Sequence, residues 1–296
     1  MGIEALGLSD GVRPGQVAKF TFTGQVQAFA LGLWAFSLTY ESKDHYVQNF
    51  SIKMLPTQTE DAAVVGNVVS AKVNARLQDS SGNTLGVDDC IIYPACVAMV
   101  DTFDPSTVLT NVTGIGNGSS TPITLPGSSG FSALASFLSG FDLGYSDGDH
   151  QVLGASAGCG INNNQSQGMI SGSASLYDAS GNNANTATVD AGVIVSTDAS
   201  PGYAIIPVTN QTSGPIPIQF SSLPSVRGVC CLITSWQVQY DAVHNVRNFS
   251  IGTWGYPQIQ GNTVTLPNLN ARVSDASGNT QDDAKSSASV LVVAFH

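Results

Sequence analysis

Three of the four histidines in this sequence occupy one recurring position, and imidazole is the side chain best suited to bind a metal or move a proton near neutral pH. His45, His150 and His244 each follow a tyrosine by four or five residues. If the three imidazoles converged, they could bind zinc, copper or nickel. The alternative is that each histidine caps a turn through a neighbouring aspartate or the backbone. These histidines are the candidate binding residues, and no cofactor is predicted.

A second motif, Asp-x-Ser-Gly-Asn, occurs at Asp79–Asn83, Asp178–Asn182 and Asp275–Asn279. Its simplest interpretation is a hairpin turn, because aspartate bonds its own backbone and glycine accepts a positive φ angle. The alternative is a calcium loop, but calcium needs about six oxygen ligands and only one acid recurs in the motif. The motif therefore predicts a turn.

Catalytic templates are missing from the sequence. There is no nucleophile elbow, no His-Glu-x-x-His, no P-loop and no dinucleotide-binding glycine motif. The acidic pairs Asp88–Asp89 and Asp282–Asp283 are typical of solvated turns rather than of a glycosidase cleft. Trp34, Trp236 and Trp254 could form a sugar platform, although Trp236 fits a core position. The sequence therefore predicts a protein that is not an enzyme.

The five cysteines do not have the spacing of a zinc knuckle or ribbon. Cys159, Cys230 and Cys231 lie in apolar or small-residue strand patterns, which predicts buried thiols. Cys230 and Cys231 are adjacent, so they should point to opposite faces of a strand. Cys90 and Cys96 could form a disulfide across a short loop in an oxidising compartment.

The elements that must position these residues also recur three times. Each copy has an alternating strand that ends in the tyrosine, namely Phe36–Tyr40, Phe141–Tyr145 and Trp236–Tyr240. A second alternating set lies directly upstream, at Phe29–Leu33, Leu134–Leu138 and Val229–Ile233. The two sets are out of phase by one residue, and a straight strand cannot bury both on one face. We therefore predict a β-bulge or bend near Trp34, Ser139 and Thr234.

No long stretch has helical periodicity, and each copy ends in an apolar run. We expect an all-β fold of three tandem homologous small antiparallel β-sandwich domains, at 1–104, 105–200 and 201–296. The Gly/Ser/Thr-rich stretch 111–130 is predicted to be a connecting loop. The repeats could form beads on a string or close around a pseudo-threefold axis, and the short linkers favour packed domains.

The chain of 296 residues has few charges and a net charge of −11, with 10 Lys plus Arg. So few cations argue against nucleic acid and anionic lipid as partners. No window matches a membrane-spanning helix, and the start has no basic region of a signal peptide. We therefore expect a protein made in the cytoplasm and then incorporated in a particle or released.

Two functions fit this pattern. The first is a non-enzymatic structural protein that self-assembles as a homo-oligomer or decorates a particle or surface, of the viral-shell or surface-layer type. The second is a lectin-like or toxin-like module that binds glycan or a cell surface through three equivalent loops. The first is preferred, because low charge permits packing at low desolvation cost and no catalytic constellation is present.

Overall fold

The computed structural model describes residues 2–7, 10–41, 43–54, 62–164, 167–198, 202–211 and 214–296, and the fold is almost entirely β. A single turn of 3₁₀ helix, Val87–Asp89, is the one helical element among these residues. The strands are β1 (Gly2–Gly7), β2 (Val17–Thr21), β3 (Val26–Thr39), β4 (Asn49–Lys53), β5 (Ala62–Val65), β6 (Val68–Lys72), β7 (Asn74–Gln78), β8 (Ile91–Val100), β9 (Thr107–Gly116), β10 (Ser120–Thr124), β11 (Ala133–Gly144), β12 (Val152–Asn164), β13 (Gln167–Tyr177), β14 (Thr186–Ser196), β15 (Tyr203–Gln211), β16 (Ile216–Gln219), β17 (Gly228–His244), β18 (Asn248–Trp254), β19 (Gln258–Gln260), β20 (Thr263–Leu266), β21 (Asn268–Ser274) and β22 (Ser287–Phe295).

Three large antiparallel sheets share one strand order. They are β1-β8-β3-β18-β21, β9-β14-β11-β4-β7, and β15-β22-β17-β12-β13 with β10 added at the end. In each sheet the first three strands come from one third of the chain and the next two come from another third. The first third completes the sheet of the second, the second completes that of the third, and the third completes that of the first. The strand exchange therefore forms a closed cycle.

A ring of backbone hydrogen bonds closes the same cycle. It joins Val47 to His150, Val152 to His244, and Val246 to His45. The Val47 and His150 amides and carbonyls bond at 2.9 and 3.1 Å, and those of Val246 and His45 at 2.8 and 2.9 Å. This pairing differs from the expectation of separate sandwiches, because each third lacks two strands of its own sheet. The predicted boundary at 104/105 falls between β8 and β9, and the one at 200/201 lies outside the described residues.

All three predicted bulges are confirmed. The register shifts between Leu33 and Ala35 in β3, between Leu138 and Gly140 in β11, and between Ile233 and Ser235 in β17. The skipped residues are Trp34, Ser139 and Thr234. Each bulge changes the phase of the strand, so that the residues before and after it reach the same core.

The closing strands are apolar on both faces because they lie between two cores. In β8, Cys96, Ala98 and Val100 belong to the larger core, whereas the intervening Val97 and Met99 belong to a smaller one. The smaller core draws residues from all three large sheets. A strand that is buried on both faces has no solvent-facing set, so the polar alternation of an ordinary antiparallel strand disappears.

An aromatic cluster fills the centre, where β3, β11 and β17 contact one another. The ring centroids of Phe36, Phe141 and Trp236 form a triangle with sides of 5.6, 5.4 and 6.0 Å. Phe50 contacts all three rings and stacks on Phe249 with a centroid separation of 4.2 Å. These aromatic residues come from all three thirds, so this cluster joins them into one core.

Two three-stranded sheets, β2-β6-β5 and β16-β20-β19, complete the architecture. In β2, Ala18 and Phe20 are buried between exposed neighbours, as expected for a sheet with one face on the core. The prediction of a connecting loop at 111–130 is wrong, because this stretch holds the end of β9 and all of β10. Both strands lie at a sheet edge and are rich in Thr, Ser and Gly, so their composition resembles that of a loop. Among the described residues, no helix has the length and apolar character needed to cross a bilayer.

The five cysteines are free thiols, and the possible Cys90–Cys96 disulfide is not formed. Cys230 lies in the smaller core and Cys231 in the larger one, which confirms that they point to opposite faces. Burial raises the pKa of Cys96, Cys230 and Cys231, and it raises that of Cys159 to about 12.

These thiols give a direct test of the packing. We expect Ellman's reagent to leave the buried Cys96, Cys230 and Cys231 unmodified in the native protein and to modify the half-buried Cys159 only slowly, because the reagent attacks thiolates that it can reach. All five cysteines should react in denaturant. Rapid native modification of more than one thiol would contradict this packing.

Candidate functional site

The histidine motif and the Asp-x-Ser-Gly-Asn motif meet in three equivalent clusters. The Nδ1 atom of His45 lies 3.2 Å from Oδ2 of Asp79. The corresponding distances are 3.2 Å for His150 and Asp178, and 3.3 Å for His244 and Asp275. Each histidine therefore contacts the turn of its own third of the chain. The sequence predicts each motif, but their contact is a result of the fold.

Each Asp-x-Ser-Gly-Asn motif is a turn, as predicted. In the first, Oδ1 of Asp79 accepts the backbone N–H of Asn83 at 2.8 Å, and Oδ2 accepts its side-chain amide at 2.5 Å. The glycines at the fourth position of the motif have φ angles of +91°, +91° and +93° at Gly82, Gly181 and Gly278, a region that favours glycine. The aspartate oxygens are thus bonded to donors within the turn.

The same hydrogen bonds control the pKa of the three turn aspartates. Burial by itself would raise the pKa of Asp79, Asp178 and Asp275. The side-chain amide and backbone N–H of the following asparagine outweigh burial and hold each pKa below the ordinary value of 3.8. The folded protein therefore binds these protons more weakly than the unfolded chain does.

An aromatic ring contacts each of the three histidines, and a second carboxylate contacts His150 and His244. The rings of Tyr145 and His150 have a centroid separation of 4.3 Å, and the equivalent pairs are separated by 4.9 and 4.8 Å. The Nε2 atom of His150 lies 3.4 Å from Oδ1 of Asp147. That of His244 lies 3.6 Å from Oδ1 of Asp241. A histidine between two carboxylates and a tyrosine ring is held in one orientation.

The arrangement resembles the His–Asp part of a catalytic triad, but it lacks the third member. Within the described residues, no Ser, Thr or Cys side chain is hydrogen-bonded to Nε2 of these histidines. Over the same ranges, no group of three or more His, Cys, Asp or Glu side chains has the arrangement of a metal site. The contacts at the three clusters orient side chains and fasten turns.

The turn aspartates predict a specific acid sensitivity. Because their folded pKa is lowered, their stabilisation is complete above about pH 4 and is lost as the pH falls through the folded pKa. We expect Asp178→Asn to flatten the loss of melting temperature between pH 4 and pH 2.5, measured by circular dichroism. The matched control is Ser180→Ala, because Ser180 contributes only its backbone N–H to Asp178. An identical loss of melting temperature below pH 4 in the wild type, Asp178→Asn and Ser180→Ala would contradict this assignment.

A separate cavity of about 440 Å³ lies where the first large sheet meets β17 and β22. Aromatic rings dominate its walls, and the exposed Arg227 also lines it. The rings are those of Trp34, Tyr93, Trp254, Tyr256 and Phe295. An apolar concave site with few polar groups is the usual form of a binding pocket. We call it the aromatic pocket.

The bulge in β3 places Trp34 in the aromatic pocket. Its indole Nε1 donates a hydrogen bond of 3.0 Å to the carbonyl of Thr253 on β18. Gly7 allows the ring to lie against the backbone, because a Cβ atom there would lie 2.2 Å from the ring of Trp34. Tyr93 and Trp254 meet edge to face at 5.7 Å. The walls are thus fixed by packing and by a hydrogen bond.

Sequence reasoning identified part of this pocket. It named Trp34 and Trp254 as possible sugar-platform residues and assigned Trp236 to the core, where the structure places it with 2% exposure. It did not identify Tyr93, Tyr256 or Phe295. The sequence signal for the pocket was Trp34, a tryptophan at a bulge position where the other two thirds have Ser139 and Thr234.

Comparison of the chain with protein-family models and with curated protein sequences finds no match.

Proposed function

We propose that this protein is a non-enzymatic structural building block that self-assembles or decorates a particle or surface. In this proposal the chain consists of three homologous repeats, 1–104, 105–200 and 201–296, closed around a pseudo-threefold axis. The cyclic strand exchange is the observation that carries it. An internally fused trimer of this kind resists local opening, because each repeat completes the sheet of another.

The use of the recurring polar residues supports the same proposal. The recurring histidine side chains contact the turn aspartates, and these aspartates also accept hydrogen bonds from the turn backbone. The side chains that could have carried out chemistry are thus used to hold the turns. With a net charge of −11 and 10 Lys plus Arg, much of the polar surface is Ser, Thr and Asn, which pack against another protein at low desolvation cost. The protein would be made in the cytoplasm and then incorporated in a particle or released.

The test is the mass of the purified protein by light scattering across concentration, with negative-stain images of the same sample. We expect rings, tubes or shells far above the 30.6 kDa of one chain. A monomer at every concentration would contradict self-assembly. In that case, attachment to a particle would be sought by co-sedimentation.

A second candidate function is glycan or cell-surface binding, and the aromatic pocket favours it. The Tyr256 side chain is 65% exposed beside the half-buried rings of Trp34 and Trp254, and aromatic rings offer a large, rigid contact area. The aromatic pocket lies at one junction between the large sheets, so it supports a single site rather than the three equivalent loops considered from the sequence. Retention on glycan or cell-surface material that is lost in Tyr256→Ala would support this candidate.

A further inference from the structure

The aromatic pocket departs from the strand pattern that the three large sheets share. In the three large sheets, Phe36 pairs with Ile251, Phe141 with Ile52, and Trp236 with Ala157. Counting from these pairs, the position of Trp34 corresponds to Ser139 and Thr234, and that of Trp254 corresponds to Gly160 in the third sheet. The counterpart of Trp254 in the second sheet lies outside the described residues. Two tryptophans have therefore been placed at one of three equivalent strand junctions. Packing common to all three junctions does not require them.

A second exceptional feature is Phe103, which follows β8. Among the described residues it is the most exposed aromatic side chain outside the pocket, at 62%. Among the described residues, Asp101 is the one non-glycine residue with a positive φ angle, at +64°. Its amide donates to the Gln25 carbonyl at 2.7 Å, and its carboxylate accepts from the Gln25 amide at 3.0 Å. A strained turn held on both sides thus presents an apolar ring to solvent.

Hydrogen bonds also fix the backbone on the C-terminal side of Phe103. The Asp104 carboxylate accepts hydrogen bonds from the amide and hydroxyl of Ser106 and from the hydroxyl of Thr107, at 2.7 to 2.9 Å. The backbone on both sides of Phe103 is therefore fixed before any contact forms, which lowers the backbone entropy lost on binding. We call residues 101–104 the acidic tip.

The acidic tip and the aromatic pocket are complementary in charge. Two aspartates flank Phe103, whereas Arg227 lines the pocket and forms no ion pair with a carboxylate of the described residues. Arg227 is one of only 10 Lys plus Arg in a chain of net charge −11. Two copies of this chain repel each other overall, so a contact between them needs a local cation.

The tip does not occupy the pocket of its own chain. Phe103 is not among the residues that line the pocket, and its side chain is 62% exposed. The tip follows the end of β8 at Val100, whereas Tyr93, near the start of that strand, lines the pocket. In this fold the two features can therefore contact each other only between molecules.

We propose that the acidic tip of one copy inserts Phe103 into the aromatic pocket of a second copy, with its aspartates facing Arg227. This inference rests on the proposed function and specifies its contact. The interface is head-to-tail, so successive copies form a ring if the rotation closes and a filament if it does not. An aromatic anchor in a preformed pocket beside an arginine is the usual composition of an interface hot spot.

The test compares assembly of the full-length wild type with that of two variants, by sedimentation velocity and light scattering across concentration. Phe103→Ala removes the tip, and Tyr256→Ala combined with Arg227→Glu alters the pocket at exposed residues. Each variant alone should associate more than about tenfold more weakly than the wild type. An equimolar mixture should form one-to-one dimers and nothing larger, because it contains one intact tip and one intact pocket. Val65→Ala, an exposed change elsewhere, should assemble like the wild type.

The outcomes separate this contact from the broader function. If the wild type assembles and Phe103→Ala assembles equally well, the contact is wrong and the structural function stands. If the wild type is a monomer throughout, self-assembly and the contact both fail. If a glycan saturates the pocket while Phe103→Ala has no effect on mass, the pocket binds sugar and the contact is overturned. Circular dichroism and melting temperature of each variant must match the wild type for these comparisons.

Discussion

Replacing Phe141 by alanine is expected to lower the free energy of unfolding by about 3–5 kcal/mol, which is the usual cost of removing a fully packed phenylalanine. Its ring contacts Phe36, Phe50 and Trp236 at centroid separations of 4.9 to 5.6 Å, and it is 1% exposed. Strands of all three thirds meet at this cluster, so the cavity cannot collapse by moving one strand. Equilibrium denaturation in urea, followed by fluorescence and circular dichroism, measures the change.

The control for this substitution is Val65→Ala, which shortens an apolar side chain that is 76% exposed. It should change the free energy of unfolding by no more than about 0.5 kcal/mol. The sequence itself supplies a comparison, because Ala155 stands where the other two thirds have Phe50 and Phe249. A loss below about 1 kcal/mol for Phe141→Ala would mean that the aromatic cluster does not hold the three thirds together.

The second large effect concerns cooperativity. Because every large sheet combines strands from two thirds of the chain, we expect one unfolding transition for the whole molecule. Its van't Hoff enthalpy should approach about 200 kcal/mol near 60 °C, whereas a single third that unfolded alone would give about 70 kcal/mol. Scanning calorimetry measures both the calorimetric and the van't Hoff enthalpy, and their ratio should be close to one.

Isolated fragments provide the complementary measurement. Residues 1–104 contain β4, which pairs with β11 of the next third, and β7, which pairs with β4. The fragment also lacks β18, the partner of β3. As a monomer it should show the circular dichroism and amide-proton dispersion of an unfolded chain. A fragment that folds alone, or an intact chain that melts in three steps, would contradict the cyclic exchange.

Several features of the fold could be predicted from the sequence because they are local. The out-of-phase alternation in Phe29–Tyr40 requires a register shift at Trp34, whatever the strand pairs with. The Asp-x-Ser-Gly-Asn turns follow from aspartate hydrogen bonding and from the positive φ of glycine. Adjacent Cys230 and Cys231 must face opposite sides because the strand has a period of two.

The partners of those strands could not be predicted in the same way. Equivalent strands carry the same apolar alternation, as in Phe36–Tyr40 and Phe141–Tyr145, so β4 could pair with β3 of its own third or with β11 of the next. Local patterns are the same for both pairings. The misassignment of 111–130 has a related cause, since weakly apolar strands at a sheet edge have little alternation to detect.

In the candidate sites, too, some features follow from the sequence and others only from the tertiary structure. The sequence by itself determined which residues recur, namely His45, His150, His244 and the turn aspartates, and where the bulges fall. Only the tertiary structure decided that each histidine contacts the aspartate of its own turn. It also decided that Trp34 and Trp254, which are more than two hundred residues apart in sequence, meet in one pocket. The physical reason is that residue type and spacing govern contacts within a strand or turn, whereas contacts between strands depend on which equivalent partner completes each sheet.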